Sequence, residues 1–178
     1  VTASEDKTAR IWEAESGREI AVLEGHSDRV WTAAFSNDGR QVVTASWDRT
    51  ARVWDAQTGK QVSVLNGHQQ ALWGAAFSSN GGRVLTWSLD RTTRIWDAES
   101  GRELASSVDH DGLCTPRFSP DGMRVATCPG DKVGIRILDA ETAAEIASLR
   151  GSAESTLSVA FSPDGLRVIA APRNTSNA

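Results

Sequence analysis

The sequence has no apolar run long enough to cross a bilayer. Its longest, such as Val30 to Phe35 and Val168 to Ala171, fall far short of the ~20 residues a spanning helix needs. No charged-then-apolar leader opens it, so neither membrane insertion nor secretion is expected, and a cytoplasmic location is. Basic residues are not in excess: 19 Lys and Arg stand against 23 Asp and Glu, a formal net charge of −4. Both signs are scattered along the chain, leaving no basic stripe to track phosphates, so nucleic acid is not an expected partner. Cysteine is scarce. Cys114 and Cys128 form no CxxC pair and have no histidine at ligand spacing, so they read as ordinary thiols in a reducing compartment, with neither a zinc site nor a disulfide framework. No GxxxxGK loop, HExxH pair or unpaired carboxylate cluster suggests a phosphate site, a metal or a cofactor. No stretch carries helical periodicity.

What the sequence does have is repetition. Trp12, Trp54 and Trp96 stand 42 residues apart, and Leu138 takes the next place. Gly25-His26 recurs in the same register as Gly67-His68, Asp109-His110 and Gly151-Ser152. Phe35, Phe77, Phe118 and Phe161 drift by one residue, which requires a deletion between His110 and Phe118 and an insertion between Thr127 and Asp139. The landmarks divide the chain into a partial copy at 1–24, copies at 25–66, 67–108 and 109–150, and a partial copy at 151–178.

Within each copy, residues alternate polar with apolar or form short β-branched runs, as in RVWTAAFS, RQVVTAS, TARVWDA and KQVSVLNG. Four strands per period follow, for 17 in all. Asn37-Asp38-Gly39, Asn80-Gly81-Gly82, Pro120-Asp121-Gly122 and Pro163-Asp164-Gly165 suit the turn between first and second strands. Ser16-Gly17, Thr58-Gly59 and Ser100-Gly101 suit the turn between third and fourth, where Thr142-Ala143 lacks the glycine. The expected fold is all-β: stacked four-stranded antiparallel sheets, about four of them, making part of a β-propeller with an incomplete ring. Weak alternation at Ile20 to Leu23 and at Val62, Val64 and Leu65 fits strands covered on both faces.

These residues resemble the WD-repeat (β-transducin repeat) family, whose dipeptide stands here as Trp54-Asp55 and Trp96-Asp97, with Trp12-Glu13 and Leu138-Asp139 as departures. The resemblance implies that a histidine, a Ser/Thr on the second strand, an aspartate in the next turn and the tryptophan form a buried hydrogen-bond chain. Two sets are complete: His26, Thr44, Asp48 and Trp54, then His68, Thr86, Asp90 and Trp96. The first copy supplies Thr2, Asp6 and Trp12 without a histidine; the fourth supplies His110, Thr127 and Asp131, with Leu138 unable to donate. Spacing leaves Ser46 open as an alternative to Thr44, and the recurrence of threonine favours Thr44.

Ser/Thr, His and Asp together also suggest a nucleophile triad. A catalytic site is needed once, however, and this set returns with every period, so it reads as structure; no catalytic residue and no enzyme activity are expected. Arg10, Arg52, Arg94 and Arg136, each two residues before the tryptophan place, read as a scaffold ladder paired with carboxylates. Asn174-Thr175-Ser176 matches a glycosylation sequon and reads as chance.

The residues left over for a partner are Trp47, Arg29, Trp31, Trp73 and Leu89, which the resemblance places at or near the top rim. Trp47 fits a rim anchor and a filler between blades equally, whereas Trp31 and Trp73 fit packing better; Trp87 reads as a local packing change. The expected function is a protein-interaction scaffold with a protein or peptide partner, within a larger signalling or regulatory multidomain protein. Spellings such as TARVWDAQTG and FSPDG resemble repeats of bacterial proteins of that kind. The alternatives are a propeller enzyme with a site in the central channel and a purely architectural ring segment. Rings of the family usually have seven or eight blades, so the remaining blades of one ring or a second copy of the chain are further expected partners.

Overall fold

The computed structural model describes residues 1–108, 114–128, 134–149 and 156–172. His110, Asp131, the sequon at Asn174 and the copy boundaries near 109 and 150 lie outside the described residues.

Five antiparallel sheets follow one another along the chain, and no helix occurs among the described residues. The first has three strands, β1 (Thr2–Ala3), β2 (Ala9–Trp12) and β3 (Glu19–Leu23). The second comprises β4 (Val30–Phe35), β5 (Gln41–Ser46), β6 (Thr50–Asp55) and β7 (Gln61–Asn66). The third comprises β8 (Leu72–Phe77), β9 (Arg83–Ser88), β10 (Thr92–Asp97) and β11 (Glu103–Val108). The fourth comprises β12 (Arg117–Phe118), β13 (Arg124–Thr127), β14 (Ile135–Asp139) and β15 (Glu145–Leu149), and the fifth β16 (Thr156–Phe161) and β17 (Val168–Pro172). Each complete sheet is a plain up-and-down meander, the short turns forcing every strand to pair with its successor. These are propeller blades, and the described strands close no ring.

The strand period of two explains the stacking. Successive side chains point to opposite faces, so Val42 of β5 packs against Ala9, Ile11 and Leu23 of the first sheet, while Val43 beside it faces Leu72, Val84 and Trp96 of the third. The same device recurs at the next interface, where Leu85 and Ile95 meet Val125 and Leu138, and at the last, where Ala126 and Ile137 meet Val159. Each apolar cluster therefore lies between sheets. A fully buried Val or Leu contributes about 1.5–3 kcal/mol, so most of the cohesion sits at these interfaces. Trp54 and Trp96 pack backwards onto the sheet before their own; Trp12, with no sheet described before it, is 36% exposed.

Neighbouring sheets meet through the first strand of the later sheet, β4 against β1, β8 against β4 and β5, and β16 against β12 and β13, which makes these first strands the converging inner edges. The Val30 amide donates to the Ser4 carbonyl across the first such boundary, at 3.0 Å. Further out, Ser63 Oγ donates to the Ala98 carbonyl at 2.6 Å. In the turns between third and fourth strands, Gly17, Gly59 and Gly101 have φ near +70°, and Ala143 holds the same left-handed conformation at φ 54°.

The cysteines depart from their reading as free thiols. Cys114 and Cys128 are disulfide-bonded, with Cα atoms 5.8 Å apart. The reason lies in hairpin arithmetic: β12 and β13 pair Arg117 with Ala126 and Phe118 with Val125, and that antiparallel register extended backwards brings residues 114–115 opposite 128. A bond across one hairpin needs no CxxC spacing. Both cysteines are buried, in the apolar cluster between the fourth and fifth sheets.

Candidate functional site

The second and third sheets bring together both complete sets of four residues. In the second, the Trp54 indole N–H donates to Thr44 Oγ1 at 2.9 Å, Thr44 Oγ1 lies 2.8 Å from His26 Nε2, and His26 Nδ1 lies 2.7 Å from Asp48 Oδ2. The third repeats this at 2.8, 2.7 and 2.9 Å through Trp96, Thr86, His68 and Asp90. An ionised carboxylate only accepts, so Nδ1 carries the imidazole proton and Nε2 accepts from the threonine hydroxyl. The chain thus runs one way, from indole to hydroxyl to imidazole to carboxylate. Ser46 serves a different end: its hydroxyl donates to the Arg29 carbonyl at 2.8 Å and accepts from the Asp48 amide at 3.0 Å.

The aspartates gather more donors than spacing suggested. Asp48 also accepts from the Ser27 and Thr50 amides at 3.0 and 2.9 Å and from the Thr50 hydroxyl at 2.7 Å. Burial pushes its pKa up, but the bonds from His26, Thr50 and Ser27 outweigh burial and hold it well below the usual carboxylate range. Asp90 is lowered in the same way, burial being outweighed by Thr92, Gln69 and His68. Burial pushes the His68 pKa down against the opposing pull of Asp90, so the imidazole is neutral at pH 7. Neither histidine side chain has any exposed surface. With each aspartate already accepting several bonds and each imidazole sealed from substrate, the set can hold the loop before a first strand to the second and third strands of its sheet; it offers no free nucleophile.

The outer copies keep parts of this arrangement. Trp12 Nε1 donates to Thr2 Oγ1 at 2.9 Å, while Asp6 bonds Thr8 and Arg10; the Thr8 side chain is the main cause of its pKa falling to about 2. In the fourth sheet Leu138 fills the tryptophan place and Thr127 Oγ1 is buried without a hydrogen-bond partner. The arginines two residues before the tryptophan place each reach the start of the next strand. Arg10 meets Glu19 at 2.8 Å, Arg94 meets Glu103 at 2.7 Å, Arg136 meets Glu145 at 3.4 Å, and Arg52 donates to the amide oxygen of Gln61. They also explain the glycine of Gly-His: a Cβ on Gly67 would stand 2.8 Å from Arg94 Nη1 and 3.1 Å from the Trp96 ring.

The rim residues separate into a cluster and an outlier. Trp31, 44% exposed, lies 6.0 Å from Trp47 and 5.5 Å from Trp73 between ring centroids, and the Arg29 guanidinium stacks 3.8 Å over the Trp47 ring. Leu89 is exposed and has no part in these ring contacts. Register shifts between Val30 and Thr32 and between Leu72 and Gly74 place Trp31 and Trp73 on β-bulges, which re-aim side chains from a strand. Trp87 sits opposite Gly74, where Ala45 sits opposite Thr32 in the preceding sheet; a Cβ on Gly74 would lie 2.2 Å from the Trp87 ring. Comparing Thr32/Ala45 with Gly74/Trp87 as cross-strand pairs was the signal that could have revealed this exchange of bulk. Trp31, Thr32, Trp73, Ala75, Trp87, Thr115 and Arg117 then line one cavity of about 430 Å³ at the inner edges of three successive sheets. Thr115 and Arg117 were not singled out from sequence, because they precede and open a two-residue strand, β12, with no tryptophan at the place that Trp31 and Trp73 hold in the preceding sheets. No group of three or more His, Cys, Asp or Glu able to hold a metal occurs among the described residues.

Comparison with known proteins agrees with this architecture. A family model described as WD domain, G-beta repeat matches residues 17–55 and 59–97. A stretch of 41 residues is 42% identical to Coronin-7 of Mus musculus, covering 23% of this chain and 4% of that protein's length. Residues 17–55 and 59–97 thus carry two WD repeats, and the stacked four-stranded blades, with no helix among the described residues, agree with that match.

Proposed function

We propose that this chain is a protein-interaction scaffold whose contact point is the cluster of Arg29, Trp31, Trp47 and Trp73, and that it serves a larger signalling or regulatory protein from the cytoplasm. The observation that carries the reading is Trp31, which leaves 44% of its surface in solvent at the centre of three stacked aromatic and guanidinium groups. Core tryptophans here are sealed: Trp54 and Trp96 are at most 2% exposed. Large aromatics and arginine gathered around an open ring have the composition of interface anchors. The buried His-Asp sets support a non-catalytic role, since their polar atoms are occupied in holding loops. Burial of both cysteines would shelter their disulfide from cytoplasmic reductants.

The test is capture of partners by the chain and by Trp47→Ala, with circular dichroism on both. A variant that keeps its β-sheet spectrum and loses its captured protein supports the rim reading. A variant that unfolds assigns Trp47 to packing, and one that captures as well as the parent overturns the reading.

A further inference from the structure

We propose that the cavity beside the tryptophan cluster binds an extended, acidic, proline-containing peptide, proline rings lying against Trp31 and Trp73 and a carboxylate meeting Arg117. This rests on the scaffold reading and names the chemistry of its partner. Trp31 and Trp73 meet at an interplanar angle of 76°, so their faces form a corner at the cavity wall. Two polar atoms on lining residues, Trp73 Nε1 and Thr32 Oγ1, are buried and have no hydrogen-bond partner. An indole N–H can only donate, and a proline-rich segment in polyproline II offers backbone carbonyls without competing N–H groups. Flat pyrrolidine rings against aromatic walls are a low-entropy mode of peptide capture.

Charge selects the acid. Arg117 lines the cavity, is exposed, and forms no ion pair among the described residues, whereas Arg10, Arg94 and Arg136 are each matched with a glutamate. Among the described residues no carboxylate lines the cavity, although the chain carries net negative charge. Arg117, the one cation lining the cavity among the described residues, suits one carboxylate; it leaves a single-stranded nucleic acid, with a charge on every nucleotide, without further partners. The size also agrees, since about 430 Å³ lies within the ordinary span of ligand cavities.

The experiment is calorimetric titration of the 178-residue chain with the octapeptides (Pro-Glu)4, (Pro-Gln)4 and (Pro-Lys)4 and with an eight-nucleotide oligothymidylate. The expected order is Glu over Gln by about fivefold, with the lysine peptide and the oligonucleotide weaker still. Arg117→Gln, a change at an exposed and unpaired side chain, should bring the Glu and Gln peptides level, and Arg117→Lys should retain the preference. Trp31→Ala should weaken every peptide by about tenfold. Equal binding of the Glu and Gln peptides by the parent chain, a preference that survives in folded Arg117→Gln, tighter binding of the oligonucleotide, or no binding of any probe would each overturn the proposal. If no peptide binds while Trp47→Ala still loses its captured protein, the scaffold stands and this occupant is wrong. If the peptides behave as expected while Trp47→Ala keeps its capture, the cavity stands and the rim role of Trp47 falls.

Discussion

The third and fourth sheets differ at one position in a way that separates two jobs usually done by one residue. Trp96 packs backwards onto the second sheet and also donates its N–H to Thr86. Leu138, in the equivalent place, packs backwards beside Leu85 and Ile95 of the third sheet equally well, yet leaves Thr127 Oγ1 buried and unsatisfied. Filling space and completing the polar chain are therefore independent, and only the first is needed for the stack to continue. What holds the fourth hairpin in addition is covalent: the Cys114–Cys128 bond ties the segment before β12 to the end of β13.

Breaking that contrast should be easiest at the disulfide. Replacing both cysteines by serine, or reducing the bond, should lower stability by about 3 kcal/mol for a closed loop of this length. Urea unfolding monitored with and without reductant measures it, and an unchanged midpoint would show that the bond does not constrain the unfolded chain. The hydrogen-bonded counterpart is next. Asp48→Ala or His68→Ala leaves desolvated groups unpaired and should cost about 1 to 3 kcal/mol; no loss in the same titration would mean that these sets are dispensable.

A pH series sharpens the comparison, because the polar sets titrate and the disulfide does not. The folded His68 has a lowered pKa, so below the unfolded value of 6.5 the unfolded chain takes up the proton first and stability falls as pH falls. Asp48 and Asp90 are lowered from 3.8, so their stabilisation is complete above that value and is lost as pH drops beneath it. Midpoints measured from pH 8 to pH 3 should decline in both windows, and His68→Ala should flatten the upper one; a flat profile in the parent chain would contradict the assignment. The smallest effect is expected at Ala143, the one residue of its turn class that bears a Cβ at positive φ. Ala143→Gly should stabilise the fourth sheet by about 0.5–1 kcal/mol by relieving left-handed strain, read as a raised midpoint.

Much of the fold was legible because stacked sheets leave two strong marks on a sequence, a fixed period and paired faces such as Val42-Val43. The 42-residue spacing of Trp12, Trp54 and Trp96 located the strands, and the Asx-Gly pairs located the turns. Other features depend on which residues stand opposite each other, and a single strand read along its length does not carry that. The disulfide was missed for this reason, as was the Gly74–Trp87 exchange, since both are cross-strand relations. The cavity was less legible still: it joins side chains from three sheets, and nothing in the sequence beside Arg117 tells that it, unlike Arg10, Arg94 and Arg136, has no glutamate partner among the described residues.

The backward lean of the tryptophans gives the stack a polarity. Because the indoles of Trp54 and Trp96 are each covered by the sheet that precedes them, peeling away one sheet would wet the aromatic ring of its successor and leave later members untouched. Loss of order should then advance from one end as a sequence of spectral shifts, so that the molecule carries its own optical record of which sheet has gone.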